Sequence, residues 1–282
     1  MVQGATGRAA QQHMRLMARY GTPIVAGVSP SATMAEAGGV PLFRTCADAV
    51  RLTGARISVI MAPPLAVLAA LEEAVSAGVR LIVTVTEGMP VHDAIKALRL
   101  VRANGVEWIG PSTPGLALPG RLKLGFLPDV ALAPGALDVM SRSGTLSYEI
   151  GLRLVRRGIG QSAWIGVGGD VVKGMRFADL VPLFQAHAAT RALLAVGEIG
   201  GTDEEDLALA LEETGFERPV FVVLAGSHAP EGVTMGHAGA LVHGDKGSLA
   251  SKTAALERAG AEVFTEMAAA VARIEQALRR PQ

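Results

Sequence analysis

Cysteine is almost missing: Cys46 stands alone in 282 residues, which excludes an internal disulfide and fits a reducing compartment. Net charge is missing too. Lys plus Arg number 26 and Asp plus Glu number 26, so no overall field draws the chain to nucleic acid or an anionic membrane. No run of about 18 apolar residues occurs, which excludes a spanning helix of the usual kind. The first residues lack the basic and apolar regions of a signal peptide. Metal-ligand spacing is poor as well, since His228 and His243 are badly placed and no cysteine lies near them. The expectation is a soluble cytoplasmic protein without a metal site, a nucleic-acid partner or a membrane partner.

What is present is apolar substance. Half of the residues are apolar and 18% are charged, a balance that builds a sizeable core and gives no reason for disorder. The length suits two ordinary domains or one large α/β domain. Short β-branched runs at 23–28, 57–61, 80–85 and 107–110 alternate with helix-like stretches at 9–20, 65–77 and 91–104, with a weaker helical stretch at 48–54. Such alternation predicts βαβ units and a parallel sheet covered on both faces. Pro114, Pro119, Pro128 and Pro134 then break the rhythm, which reads as a connection between domains. Strand-like runs resume at 137–141, 162–167, 191–197, 219–225 and 262–264, with a helix from about Thr145 and an Ala-rich helix at the end. The reading is two doubly wound domains, 1–120 and 135–282, joined by a linker at 121–134.

Five stretches carry possible chemistry. Gln3-Gly4-Ala5-Thr6-Gly7-Arg8-Ala9-Ala10 leads into a helix, where backbone N–H groups can meet a phosphate at the positive helix end. An ordinary tight turn explains the same glycines, and the dinucleotide fingerprint is broken at its second and third glycines. Ser141-Arg142-Ser143-Gly144-Thr145-Leu146-Ser147-Tyr148-Glu149 follows a strand and opens a helix; its hydroxyls fit an oxyanion site or simple capping. Gly166 to Asp170 is a dense glycine turn, and Glu198 ends an apolar strand, where a carboxylate can orient an imidazole or cap a helix. Met235-Gly236-His237-Ala238-Gly239-Ala240 puts a histidine between small residues, which leaves room for a bulky group to reach it. A neutral imidazole is a good nucleophile near pH 7. A surface histidine is the plainer alternative, and His13, His92 and His187 are read as solvated.

Taken in order, these stretches together with Thr86-Glu87-Gly88-x-Pro90 and Gly110-Pro111 resemble the succinate–CoA ligase alpha-subunit family over essentially the whole chain. The resemblance implies a Rossmann-like CoA-binding domain followed by a flavodoxin-like ligase domain. It implies that His237 carries a phosphoryl group from ATP or GTP, held with Mg mainly on an ATP-grasp beta subunit in an alpha–beta or alpha2–beta2 complex. The group passes to a small carboxylic acid as an acyl phosphate, which the CoA thiol attacks. Glu198 then matches the partner of the active histidine, Tyr148 a residue of the substrate site, and Ser143, Gly144 and Thr145 the helix start that receives phosphate. Thr6, Gly7, Arg8, Ala9, Ala32, Val85, Thr86 and Glu87 match CoA contacts.

Three departures fall on the CoA side. Ala32 replaces the family's lysine in the loop Gly27 to Met34, Ala10 replaces the third glycine of the first loop, and Ser112-Thr113 replace Asn-Cys. Loss of the lysine weakens an exposed phosphate contact by about 1 kcal/mol. Succinate is the default acid, with malate and citrate as alternatives. A regulator that binds CoA or acyl-CoA without catalysis is the reading from another class, and the broken fingerprint disfavours a nicotinamide-dependent dehydrogenase.

Overall fold

The computed structural model describes residues 1–226 and 247–279, which divide into two units. His237, like His228 and His243, lies outside the described residues.

The first unit holds Met1–Ala117, Arg121–Phe126 and Val172–Met175. Its elements are β1 (Val2–Gln3), α1 (Arg8–Tyr20), β2 (Gly27–Val28), β3 (Glu36–Ala37), β4 (Val40–Phe43), α2 (Cys46–Thr53) and β5 (Ile57–Ile60). They continue through α3 (Val67–Ser76), β6 (Leu81–Thr84), α4 (Val91–Ala103) and β7 (Glu107–Ile109). The sheet runs β3-β4-β2-β1-β5-β6-β7, parallel except where β3 meets β4. Without β3, the chain order of the parallel strands is that of the dinucleotide-binding doubly wound fold. The expected Rossmann-like half is therefore present. Its first strand pairs on both sides, Val2 with Gly27 and with Val59. Buried Gln3 is satisfied by the Ala70 carbonyl at 2.9 Å and the Ser58 hydroxyl at 2.7 Å.

A strand over 23–28 is only partly realised. Pairing is confined to Gly27–Val28, because Pro23 has no N–H for a ladder and Thr22 is tied to the Lys123 carbonyl at 2.6 Å instead. The β3–β4 hairpin, turning on Gly38 and Gly39 with φ of 61° and 86°, was not expected. Residues read as a connection also carry structure: β8 (Gly115–Leu118) and β9 (Leu122–Gly125) are neighbouring strands.

The second unit is built on β10 (Pro134–Ser141), α5 (Gly144–Val155), β11 (Gln161–Gly166), α6 (Phe177–Ala186) and β12 (Ala192–Glu198). It continues with α7 (Asp203–Thr214), β13 (Val220–Ala225), α8 (Leu249–Arg258), β14 (Glu262–Phe264) and α9 (Met267–Arg279). These strands run parallel in the order β14-β13-β12-β10-β11, the flavodoxin-like winding. All of β12 is buried, as a central parallel strand covered by helices on both faces must be. Among the described residues no helix is long and apolar enough to cross a membrane.

Candidate functional site

In an open doubly wound sheet, ligands bind beyond the strand C-termini where the strand order reverses. In the first unit that point lies between β1 and β5, and a cavity of about 660 Å³ opens there. Thr6 and Gly7 line it from the loop after β1, and Thr86 from the loop after β6. Thr6 Oγ1 lies 3.2 Å from Ser29 Oγ, and Thr86 donates to the Ala62 carbonyl at 2.7 Å. Gly4 is required here. It sits at φ 76°, and a Cβ would meet the backbone of Met61 and Ala62 at 2.8 Å.

The other expected contacts divide. Arg8 and Ala9 are exposed at the start of α1, and Glu87 is exposed beside Thr86, while Val85 is 6% and Ala32 7% exposed. None of these five lines the cavity. Another part of its wall, Met61, Ala62, Pro63, Ala66 just before α3 and the α3 face through Ala70 and Glu73, was not picked out from the sequence. The strand-end rule applied to β5 was the signal that could have found it. Apolar walls suit a nucleobase and a pantetheine arm, and the α1 N-terminus suits phosphate.

Glu73 accepts the Cys46 backbone N–H at 2.8 Å, capping α2 from outside. Burial, and next the Glu73 charge, push the Cys46 thiol up to about 12. The free thiol has a pKa near 8.5, so the folded protein holds the proton more tightly than the unfolded chain. Cys46 therefore costs no stability below about pH 8.5, and stability falls as pH rises above that value. A thiol reagent at pH 8 should leave Cys46 unmodified until denaturant is added; rapid modification of the native protein would contradict this burial.

In the second unit the reversal lies between β10 and β12, and there the sequence places Ser141 to Glu149 and Glu198. Ser143 is buried and its hydroxyl accepts the Leu146 N–H at 3.3 Å as the α5 cap. Gly144 and Thr145 follow in the first turn of α5, with Thr145 exposed. Tyr148 is half-buried one turn on, and burial raises its pKa. Glu198, 7% exposed, ion-pairs with Arg142 Nη2 at 3.0 Å.

That pair belongs to a buried cluster of charges that sequence reading missed. Arg142 Nη1 lies 3.2 Å from Glu204 Oε1 and donates to the Gly200 carbonyl at 2.9 Å. Lys252 Nζ donates to the carbonyls of Glu198 and Gly200, at 2.9 and 2.8 Å, and to Glu204. The Glu198 N–H donates to Glu204 at 3.1 Å. Burial opposes the charge of Arg142, but Glu204, Glu198 and Asp203 together hold its pKa above the ordinary value. Gly197 now has a reason: a Cβ there would fall 2.5 Å from a Glu204 oxygen.

The cluster also marks where residues 227–246 leave and rejoin the described chain. Ala225 is in register with Glu198, and the Gly200 N–H donates to the Gly247 carbonyl at 2.8 Å. Both flanks of that segment lie against 198–201.

Two histidines are not simply solvated. His187 Nδ1 lies 3.2 Å from buried Asp138, which also receives bonds from Ser162 and Thr190. His13 packs on Phe126 at 4.2 Å, and burial, with Lys123 second, lowers its pKa.

Comparison with known proteins finds two domain families along the chain. Residues 1–88 match the CoA binding domain family and residues 140–262 the CoA-ligase family. The ADP-forming succinate–CoA ligase subunit alpha of Aquifex aeolicus is 42% identical over 266 residues, covering 94% of this chain and 87% of the relative. Subunit alpha 2 of the same ligase from Archaeoglobus fulgidus is 44% identical over 263 residues, covering 93% and 91%. The ADP-forming sulfoacetate-CoA ligase subunit SauD of Bilophila wadsworthia is 37% identical over 266 residues, covering 93% and 91%. Among solved structures, ATP citrate lyase from Methanothrix soehngenii, in complex with citrate and coenzyme A, superposes with a TM-score of 0.87 at 23% identity over 98% of this chain. The chain spans about half, 49%, of that protein's length, and the likeness speaks to fold alone. Long matches at this identity, with both domain families in order, settle descent: the chain belongs to the succinate–CoA ligase alpha-subunit family and is the alpha-type subunit of an acid–thiol ligase.

Proposed function

We propose that this chain binds CoA in the first unit and carries a transient phosphoryl group on His237, working with an ATP-grasp beta subunit that holds ATP or GTP with Mg. The observation that carries the reading is that Ala225 and Gly247, on either side of 227–246, lie against 198–201, where Glu198 pairs with Arg142 just before the α5 entrance. His237 Nε2 or Nδ1 attacks the terminal phosphorus of the nucleotide, forming a P–N bond as the P–O bond to the diphosphate breaks. A carboxylate oxygen then takes the phosphoryl group, breaking P–N and leaving an acyl phosphate. CoA supplies the thiol that displaces phosphate and releases its proton. Glu198 stabilises the charged imidazole, the α5 N-terminus with Gly144 and Thr145 receives the phosphoryl oxygens, and Tyr148 borders the acid. Thr6, Gly7 and Thr86 contact CoA.

Succinate is the proposed acid. The sulfoacetate-CoA ligase subunit among the relatives favours a panel that also holds other dicarboxylates and a sulfonated acid. The test reconstitutes the chain with the beta subunit, ATP, Mg and CoA, and follows acid-dependent loss of free thiol. Succinate should give the fastest turnover. Thiol loss with another acid alone would move the substrate, and no loss with any acid would leave a CoA-binding regulator as the better reading.

A further inference from the structure

CoA carries several negative charges on its phosphates, yet the one ionisable side chain lining the first-unit cavity is an acid, Glu73. The loop after β2 borders that cavity through Ser29, Pro30 and Ser31, and its residues 29–35 include no cationic side chain. A cation does reach this loop from another element. Ser29 N–H donates to the Phe43 carbonyl at 2.9 Å, which fixes the loop against the end of β4. The next residue, Arg44, is exposed, and its Nη2 donates to the Ala32 carbonyl at 3.4 Å. That bond is long and readily exchanged. Among the described residues no ion pair joins Arg44 to a carboxylate, whereas neighbouring Arg51 is held by Asp48 at 2.8 Å.

We propose that Arg44 is a phosphate-binding residue of the CoA site, delivering from the end of β4 the positive charge that the loop after β2 lacks. This rests on the CoA reading above and adds a residue to it. A guanidinium suits the role, because its planar fork can hold two phosphate oxygens at once and keeps its charge at any working pH. A guanidinium held by one long bond beside that loop costs little to redirect.

Direct CoA binding by calorimetry on the full chain tests the proposal without any need for turnover. At low salt Arg44→Ala should weaken CoA binding about tenfold, and the deficit should shrink at high salt as phosphate attraction is screened. Arg44→Lys should keep most of the affinity. Ser31→Lys in the Arg44→Ala background should restore it, since a cation then returns to the loop at an exposed position that lines the cavity. Wild-type affinity in Arg44→Ala would overturn the proposal. So would a loss that neither salt nor Ser31→Lys changes, because that pattern belongs to a residue that only props the loop. Failure of the unaltered chain to bind CoA would strike down the CoA reading itself, a result separable from either.

Discussion

Lys252→Met should destabilise the second unit by about 3–5 kcal/mol, the usual cost of removing one partner from a buried ion pair. Lys252 and Glu204 are both fully buried, and the ammonium also answers the carbonyls of Glu198 and Gly200. Methionine fills similar space but answers none of them. Three carboxylates, Glu198, Asp203 and Glu204, would then face Arg142 and the part-exposed Arg176 without the buried ammonium. The uncompensated charge is what costs stability, so the companion change matters. Lys252→Met with Glu204→Leu removes both charges and should recover part of the loss.

The measurement can isolate the unit. Trp164 lies in β11 and Trp108 in β7, so denaturant unfolding followed by tryptophan emission in a Trp108→Phe background reports the second unit. Lys96→Met is the control: its partner Asp93 lies 3.4 Å away on an exposed helix face, where a pair contributes under about 1 kcal/mol. If Lys252→Met costs no more than Lys96→Met, the buried cluster does not hold this unit together.

The same cluster shows where sequence reading stops. Local patterns were legible wherever one residue type repeats on a short period: β5, β6, α1, α4, β12 and β14 fall within a residue or two of expectation, because apolar periodicity is a local property. Helices α6, α7 and α8 were missed. Pro182 interrupts the pattern of α6, and the first turn of α7 is four acids, Asp203 to Asp206, which reads as a solvated charge run. The structure gives those acids a long-range purpose, since Arg142 lies 62 positions from Glu204 in sequence and Lys252 lies 48. No single-sequence pattern marks such a meeting. Gly38-Gly39 was a readable hairpin signal for β3–β4, masked by Pro41 in the second strand. For the site, strand-end glycines and the order of motifs pointed to both reversal points, but not to the α3 wall of the cavity or to Arg44. Those come from packing between elements distant in the chain.

His237→Ala should leave the chain with no acid-labile, base-stable label after incubation with the beta subunit and γ-labelled nucleotide, because no other nucleophile is proposed to bear the phosphoryl group. Glu198→Gln should still label, but about a hundredfold more slowly, within the range that a positioned carboxylate contributes to imidazole chemistry. The contrast follows from charge. Glutamine keeps the shape at the end of β12 and can still contact Arg142, so the flanks of 227–246 at Ala225 and Gly247 should stay against 198–201. It cannot offset the positive imidazole that forms when the P–N bond does. Rapid-quench labelling gives both rates, and thermal melting separates chemistry from folding, since Arg142 keeps Asp203 and Glu204 as partners. Label that survives His237→Ala would place the carrier elsewhere. A wild-type labelling rate in Glu198→Gln would confine that carboxylate to the structural cluster and take it out of the reaction.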